Sequence, residues 1–403
     1  MSGWFVWEGA YALGWFMAYG RNMLILSIVF LVGSFAANLI GPIWPIYITD
    51  SLNASMTELG FVLSLSNAVA ALMQIPSGFL SDKYGRKWLH AFGTFLAAFP
   101  PLMYALASGW TDLVPWVMLS GFSIGLYIPI RWAIVADSSS SKTMAGAYGW
   151  TNIAWLIGST AAPFVGGVVA DVLGIRFPFY ISALLIFAVF PLTLYMQESR
   201  RKPQIALTQG EERSRLLQRF AFVMMLFSLV NVIQAVGISV TSPVIPVFVS
   251  REFSVDYTFI GILYAVGFGV ASIAVQIPAS KLSDRFDRRM VMLVTFLASA
   301  PFFLLFAYSR NTMELIVLMF LSNAILNTSW PAFQTLMMEA TPSAKWGLVN
   351  GVSATTWWIG LMIGNALSGV LWDGWGMYAP FYASALAITV SAVPLLLLKE
   401  TKK

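Results

Sequence analysis

The chain has 403 residues, of which 58% are hydrophobic and only 10% are charged. Soluble domains carry roughly 25% charged residues, so this composition excludes a soluble globular protein. The net charge of +5 does not indicate a nucleic-acid-binding protein, because the basic residues lie in short segments between apolar runs. The chain contains no cysteine and one histidine, His90, which excludes disulfides and a Cys/His metal cage within it.

Aromatic residues recur at steps of three and four along the first twenty residues, at Trp4, Trp7, Tyr11 and Trp15. On a helix these rings share one face, as in segments that lie at a membrane interface. We therefore expect an N-terminal interfacial segment over residues 1–22. The features of a cleavable signal peptide, a charged start, a compact apolar stretch and a small-residue cleavage site, are not recognisable in it.

Long apolar runs, separated by charged or Gly/Pro-rich breaks, follow one another along the rest of the chain. A bilayer core needs ~20 apolar residues for each helical span. The pattern predicts an all-α integral membrane protein with twelve transmembrane helices. The predicted spans are 23–48, 58–80, 88–107, 113–136, 145–170, 177–197, 220–249, 258–280, 290–308, 314–338, 346–371 and 379–398. They define an N-terminal bundle (23–197), a linker (198–219), a C-terminal bundle (220–398) and a tail (399–403).

Lys and Arg are unevenly distributed between the two sets of loops, and such an asymmetry predicts which loops face the cytoplasm. One set contains nineteen basic residues, whereas the opposite set contains only Arg176, Arg251 and Arg310. We therefore predict a multi-pass protein of the cell membrane with both termini and the linker in the cytoplasm.

A repeat with an offset of 202 residues relates the two halves. The segment from Gln74 to Lys87 returns as the segment from Gln276 to Arg289, and Asp171 returns as Asp373. Shared composition alone would not hold one offset over a hundred residues. Each copy has six spans, so both insert in the same orientation and form two pseudo-symmetric six-helix bundles around a central site.

Residues 78–87 carry a motif that resembles the signature of the major facilitator superfamily between its second and third helices, G-x-L-x-D-[RK]-x-G-[RK]-[RK]. The matching residues are Gly78, Leu80, Asp82, Lys83, Gly85, Arg86 and Lys87. The second copy retains Leu282, Asp284, Arg285, Arg288 and Arg289, and it has Ser280 and Asp287 where the glycines stand. The resemblance covers almost the whole chain and implies a transporter that works by alternating access.

The charges of this motif have a structural interpretation of their own. Asp82, Arg86 and Asp137 are expected on the same membrane face, where a carboxylate–guanidinium–carboxylate chain can join the second and fourth spans. The resemblance implies that such a cluster stabilises the outward-facing state. A second cluster is expected from Asp284, Arg288 and Glu339. The alternative is that these charges only set the topology.

A second motif lies in the fifth span and resembles G-x-x-x-G-P-x-x-G-G of proton-driven drug antiporters. Its matching residues are Gly158, Pro163, Gly166 and Gly167, and only Ala162 departs from the pattern. Small residues let a neighbouring helix approach closely, and proline kinks the helix. The resemblance implies an exporter, whereas the alternative is simply a tight helix contact.

An ionisable group inside a span is a candidate functional residue by default, and Arg131 is the only one well inside a predicted span. Tyr127 lies one turn before it. The guanidinium either holds an anionic group or tunes a proton-carrying carboxylate, or it reaches the interface and pairs with Asp137. Phe333 occupies the equivalent position of the second repeat.

Amides and tryptophans complete the predicted substrate site. The candidates are Asn38, Asn67, Asn152, Trp155, Asn231, Gln234, Asn323, Asn327, Trp330, Gln334, Trp357 and Trp358. An amide within a lipid-embedded bundle needs a partner, so each is either a ligand contact or a link between helices. Together with one cation, they suggest an amphipathic or aromatic substrate.

These features predict a secondary transporter that exports amphipathic or drug-like small molecules, with the proton gradient as its energy source and no cofactor or metal. Proton coupling is implied by the resemblance alone, because no Asp or Glu lies near the middle of a predicted span. We expect a monomer whose partners are its substrate, protons and the lipid bilayer, and no nucleic acid.

Other functions stay open within transport: a uniporter or proton symporter of a small polar metabolite or organic anion, which Arg131 favours, or a lipid or lysolipid flippase. A membrane enzyme is not favoured, because one histidine, no cysteine and no intramembrane carboxylate pair leave little for a catalytic site. No GxxxxGK[ST] phosphate loop occurs, which argues against direct ATP drive. Nothing in the chain resembles a signalling domain.

Overall fold

The structure, a computed structural model, describes residues 4–139, 143–198, 212–341 and 346–398. Most of the predicted linker and the tail 399–403 lie outside these residues, as do the side chains of the predicted interfacial segment up to residue 20. The backbone of that segment belongs to one helix with the first span.

The N-terminal half consists of helices that match the predicted spans one to six. They are α1 (Trp4–Ile40), α2 (Trp44–Ile46), α3 (Met56–Tyr84), α4 (Arg86–Leu96), α5 (Phe99–Leu106), α6 (Val114–Asp137), α7 (Met144–Leu173) and α8 (Phe177–Leu194). A π-helical turn, Tyr47–Ser51, follows α2, and a 3-10 turn, Trp110–Leu113, precedes α6.

The C-terminal half repeats this order. Its helices are α9 (Glu212–Thr241), α10 (Val244–Phe253), α11 (Tyr257–Tyr264), α12 (Ala271–Arg285), α13 (Arg288–Ala307), α14 (Thr312–Glu339), α15 (Trp346–Trp375), α16 (Ala379–Val390) and α17 (Val393–Leu396). A π-helical segment, Ala265–Val270, joins α11 to α12 within the eighth span.

Eleven helical segments of the described chain are long and apolar enough to cross a bilayer. The remaining span is α15, which is 30 residues long and packs between α3 and α9. Its many Gly, Ser, Thr and Asn residues suit a helix that is in contact with other helices rather than with lipid. The prediction of an all-α membrane protein with twelve transmembrane helices in two bundles is confirmed.

Two prolines divide the third predicted span. Pro100 and Pro101 have no N–H to donate to the carbonyls of Leu96 and Ala97. The first helix of this span therefore ends at Leu96, and α5 begins at Phe99. The uninterrupted helix that we expected over 88–107 is replaced by α4 and α5.

The described residues form three hydrophobic cores. The first contains residues of both halves, with Tyr47 and Phe179 on one side and Phe248 and Phe381 on the other. The second contains only C-terminal-half residues and the third only N-terminal-half residues. We call the end of the molecule with residues 78–87 the motif end and the opposite end, with the shared core, the distal end. Since burial of apolar surface favours association, the halves are held together at the distal end.

Candidate functional site

Arg86 joins three helices at the motif end. It is the first residue of α4, and the φ of +98° at Gly85 allows the sharp turn from α3. Its guanidinium forms an ion pair with Asp137 at the end of α6 and lies 3.5 Å from the Asp82 carboxylate near the end of α3. It also donates to the carbonyl oxygen of Ala133 at 3.0 Å. These charge-assisted contacts link α3, α4 and α6.

The two carboxylates beside Arg86 have different surroundings. The side chain of Asp137 is 5% exposed, whereas that of Asp82 is 73% exposed. Asp137 therefore balances the guanidinium inside the N-terminal bundle, and Asp82 remains open at the motif end. A group with this exposure is free to take a partner in another conformation.

The second copy of the motif holds a smaller cluster. Arg288 of α13 forms an ion pair with Glu339 at the end of α14, and Arg289 donates to the carbonyl oxygen of Leu396 at 2.9 Å. Asp284 lies in the last turn of α12. The arrangement thus follows the repeat, with one arginine again joining two neighbouring helices.

The other basic residues of the two motifs contact rings. Distances from the cationic group to the ring centroid are 5.1 Å for Lys83 and Tyr84, 5.0 Å for Lys87 and Trp88, and 5.7 Å for Arg285 and Phe286. These pairs place large apolar side chains beside positive charges at the motif end, as occurs at membrane interfaces.

Glu198, just after α8, was not among the predicted site residues. Its carboxylate accepts hydrogen bonds from the backbone N–H groups of Arg86 at 2.7 Å and Lys87 at 3.3 Å. It thereby caps the N-terminus of α4 and connects the start of the linker to the motif. The repeat contained a signal for this residue, because Glu400 stands 202 positions later.

The glycines of the α7 motif let α1 approach. A Cβ on Gly166 would lie 2.0 Å from the carbonyl oxygen of Leu39, and one on Gly158 would lie 2.4 Å from that of Leu31. Real side chains do not fit at these distances, so both positions depend on glycine. The close contact expected of this motif lies within the N-terminal half.

The same motif also contacts the opposite half. A Cβ on Gly167 would lie 2.2 Å from the carbonyl oxygen of Tyr257, and one on Gly261 of α11 would lie 2.3 Å from that of Pro163. Backbones in such close approach leave no room for a passage between α7 and α11. The motif therefore forms part of the closure at the distal end.

Asp171, near the end of α7, caps a helix of the other half. Its carboxylate accepts hydrogen bonds from the backbone N–H groups of Tyr257 at 3.1 Å and Thr258 at 2.7 Å, and from the Thr258 hydroxyl at 2.5 Å. Asp373 makes the equivalent contacts to the start of α3. Neither aspartate was predicted as a site residue, although both belong to the internal repeat.

Arg131 is a residue of α6, and its side chain lies inside the N-terminal bundle against Phe30 of α1. It is 7% exposed, and its guanidinium carbon lies 3.7 Å from the centroid of the Phe30 ring and 5.6 Å from that of Tyr127. Among the described residues it has no ion-pair partner, and its Nε has no hydrogen-bond partner. The pairing with Asp137 that we considered from the sequence is not formed. Residues six apart lie on different faces of a helix, and Arg86 occupies that carboxylate.

Four of the predicted amides make hydrogen bonds of two kinds. Some link helices: Asn231 of α9 donates to the Ser353 hydroxyl at 2.6 Å, and Asn327 of α14 donates to the Ser272 hydroxyl at 3.3 Å. Others donate to carbonyl oxygens of their own helix. These are Asn38 to Ser34 at 2.8 Å and Asn323 to Met319 at 2.9 Å. The second group keeps its amide oxygen available.

Aromatic residues of α14 and α15 form a cluster in the C-terminal half. The Trp330 ring is stacked on Phe333 with centroids 6.2 Å apart, and it meets Trp357 edge-on at 6.1 Å. Trp330 is 46% exposed, so it presents an open aromatic face. Phe333 itself is buried in the C-terminal core.

The remaining candidates are distributed over five helices. Asn67 lies in α3, Asn152 and Trp155 in α7, Gln334 in α14 and Trp358 in α15, all half-buried, while Gln234 of α9 is buried. Trp155 packs against the N-terminal core. The structure brings Arg131 and Tyr127 together, and Trp330 with Trp357, but it does not gather all candidates at one point.

A cavity of about 360 Å³ lies elsewhere, at the distal rim of the C-terminal half. Its lining includes Glu252, Tyr308, Arg310 and Tyr378, and none of the predicted substrate residues contributes to it. A transported molecule has to reach both sides, so a pocket confined to one rim does not correspond to the central site of the repeat.

Comparisons with known proteins agree with a fold of two repeated bundles. A family model described as Major Facilitator Superfamily matches residues 26–231 and 227–403. The multidrug resistance protein MdtG of Enterobacter lignolyticus is 26% identical, over 93% of this chain and 91% of that protein. The multi-drug resistance efflux pump PmrA of Streptococcus pneumoniae is 24% identical, over 90% of this chain and 92% of that protein.

Solved structures show the same fold. The crystal structure of a D-xylose-proton symporter matches with a TM-score of 0.78 and 16% sequence identity, covering 95% of this chain and 98% of that one. At this identity the match concerns the fold and not the substrate.

Proposed function

Because the chain belongs to the Major Facilitator Superfamily, we propose that it is a secondary transporter that exports amphipathic, drug-like small molecules by alternating access. The observation that carries the proposal is the asymmetry of the cores. One core spans both halves at the distal end, while each half has its own core elsewhere. Two bundles whose shared core lies at one end are in a state from which they can rock about a central site.

The export of amphiphiles is supported by two relatives and by the glycine contacts of α7. MdtG and PmrA are both named for multidrug resistance, and they align with nearly the whole chain. Gly166 and Gly167 bring α7 against the backbones of α1 and α11. This tight seam on the distal side suits a pump that has to keep exported compounds from leaking back.

In this proposal the motif end faces the cytoplasm, as the distribution of Lys and Arg favours. The protein lies in the cell membrane as a monomer, with both termini in the cytoplasm. The state described here is then open to the inside. Substrate enters between the bundles from the cytoplasm or from the inner leaflet of the membrane.

Proton antiport supplies the energy in this proposal. The carboxylates near the site are those at helix ends, and Asp137 beside Arg86 is the most enclosed of the motif carboxylates. Asp82 is open to the medium in this state and is the group free to exchange partners as the bundles move. No cofactor or metal is required for such a cycle.

Transport can be tested in proteoliposomes that contain the purified chain and an acidic lumen. We expect uptake of amphipathic fluorescent dyes into the lumen, and collapse of this uptake when an ionophore removes the pH gradient. A variant with Asp137→Asn is expected to fold with a lower Tm and, at a temperature below that Tm, to transport more slowly. Equal dye flux with and without the gradient would contradict antiport, and equal flux in protein-free liposomes would contradict transport.

A further inference from the structure

Arg131 is a buried cation for which the described residues supply no counter-charge. All eighteen Asp and Glu residues of the chain lie outside the middle of its spans. The nearest motif carboxylate on the same helix, that of Asp137, is already paired with Arg86. A buried charge without a partner is costly in a bilayer, so this guanidinium requires an anion or water from outside the bundle.

The surroundings of Arg131 are aromatic and polar but not acidic. The guanidinium carbon lies 3.7 Å from the centroid of the Phe30 ring, and 5.6 and 6.0 Å from the centroids of the Tyr127 and Trp132 rings. His90 of α4 lies edge-on to Tyr127, with ring centroids 6.2 Å apart, and within the described part of the chain neither of its ring nitrogens has a hydrogen-bond partner. Rings hold the guanidinium in place by cation–π contact without neutralising it.

We propose that Arg131 binds an anionic group of the substrate, so that the transported amphiphiles are acids with a carboxylate, sulfonate or phosphate head. This inference rests on the proposed export function and specifies its substrate class. Arginine is well suited to the role, because its planar fork of donors matches the oxygens of these groups. The bound anion supplies the negative charge that the bundle lacks.

The C-terminal half offers a complementary apolar surface. Positions 131 and 333 are equivalent in the repeat, so the pseudo-two-fold axis relates them at the same depth. Trp330 stacks on Phe333 and meets Trp357 on the neighbouring helix, and Trp330 exposes 46% of its surface. The head of the acid is held by the N-terminal half, and its apolar body is held by this aromatic cluster.

The same arrangement disfavours cationic compounds. A positively charged drug would meet the guanidinium of Arg131 and would find no carboxylate at that depth. Discrimination between ligands by an unfavourable contact is as effective as discrimination by a favourable one. The site therefore selects by charge, and the aromatic surface accepts bodies of different shape.

Binding of a matched pair of probes tests the proposal directly. The pair is 11-(dansylamino)undecanoic acid and its N-methylamide, which share a body and differ in charge. Energy transfer from tryptophan to dansyl reports binding to the full chain in nanodiscs of phosphatidylcholine. We expect the acid to bind at least tenfold more tightly than the amide. Equal affinities in the unmodified protein would overturn the proposal.

Variants locate the preference on Arg131. Arg131→Gln is expected to remove the tenfold higher affinity for the acid and to leave the affinity for the amide unchanged. Arg131→Lys is expected to retain part of the higher affinity for the acid. Arg310→Gln is the matched control, since it removes an exposed arginine at the distal rim. Trp330→Ala should lower the affinity for both probes to a similar extent. A preference for the acid that survives in Arg131→Gln would also overturn the proposal.

The anion could come from a soluble acid or from a lipid head group, and adding phosphatidylglycerol to the nanodiscs separates these sources. Displacement of the dansyl acid by this lipid assigns the site to a lipid anion, and unchanged binding assigns it to soluble acids; both support an anion site. The proposed function and this inference can be refuted separately. Absence of dye transport with an intact acid preference refutes export alone, whereas transport without any acid preference refutes only this inference.

Discussion

Asp373, near the end of α15, accepts hydrogen bonds from the backbone N–H of Thr57 at 2.8 Å and from its hydroxyl at 2.7 Å. Thr57 lies in the first turn of α3, so a carboxylate of the C-terminal half caps a helix of the N-terminal half. Asp171 caps α11 in the opposite direction. Carboxylates are favoured at helix N-termini, where N–H groups lack partners. The distal end is therefore closed by two reciprocal caps, in addition to the shared core.

Removal of these caps is expected to open the distal end. Loss of a side-chain acceptor at a helix N-terminus costs about 1 kcal/mol, which corresponds to a roughly fivefold shift of a two-state equilibrium. We expect Asp373→Ala and Asp171→Ala each to shift the protein toward the distal-open state, and the double variant to shift it further. Because the chain has no cysteine, spin labels at Ser51→Cys and Glu252→Cys can report the distal distance without background labelling.

A control for this experiment lies at the same end of the molecule. Asp112 accepts hydrogen bonds from the backbone N–H groups of Ser108 and Gly109, within the N-terminal half only. Asp112→Ala also removes a cap, but it leaves the contact between the halves intact. The interpretation of Asp171 and Asp373 as an inter-half closure fails if all three variants give the same distance distribution.

The two carboxylates beside Arg86 are expected to differ in their effect on stability. Asp137→Asn leaves an enclosed guanidinium without its ion-pair partner, and loss of such a partner costs a few kcal/mol. Asp82→Asn removes an exposed charge 3.5 Å away, and a change of this kind is usually within ~0.5 kcal/mol. Thermal unfolding followed by tryptophan fluorescence should show a clear drop in Tm for Asp137→Asn and nearly none for Asp82→Asn. A larger drop for Asp82→Asn would contradict the described pairing.

Glu198 is expected to stabilise the turn of the motif through hydrogen bonds to its backbone. Its carboxylate caps the N-terminus of α4, so Glu198→Ala should cost about 1 kcal/mol, as a lost cap does, and loosen the turn at Gly85. Hydrogen exchange of the amides of Arg86 and Lys87 measures this directly. Exchange there should become faster in Glu198→Ala, while exchange at the start of α3, which is capped by Ser55, should not change.

The sequence was sufficient to predict the helices and the internal repeat, because apolar runs and a fixed offset can be recognised in a single chain. It did not predict the caps by Asp171 and Asp373. Apart from one threonine hydroxyl each, their partners are backbone N–H groups, which every residue except proline has and which therefore leave no residue pattern. For Arg131 the residue could be predicted from the sequence, but its contacts could not. Its position inside a span was evident, and the motif predicted that Arg86 contacts Asp137. The sequence left open whether Arg131 also pairs with that carboxylate, and only the fold shows that it does not.

Gly369 provides the sharpest test of the contact between α3 and α15. A Cβ at this position would lie 1.9 Å from the carbonyl oxygen of Met56, so Gly369→Ala forces the two backbones apart at the distal end. Overpacking of this kind costs roughly 1–3 kcal/mol. We expect the variant to lower the Tm or to lengthen the distance between labels at Ser51→Cys and Glu252→Cys.

Gly351 on the same helix is the matched control. A Cβ there would have no neighbour within 4 Å, so Gly351→Ala introduces the same methyl group without a clash. Alanine is also the better helix former by about 1 kcal/mol, which makes a neutral or slightly stabilising effect the expected result. If both variants leave the Tm and the distal distance unchanged, α3 and α15 do not form the close contact that seals the distal end. If only Gly369→Ala changes them, the seal depends on the backbone approach at Gly369.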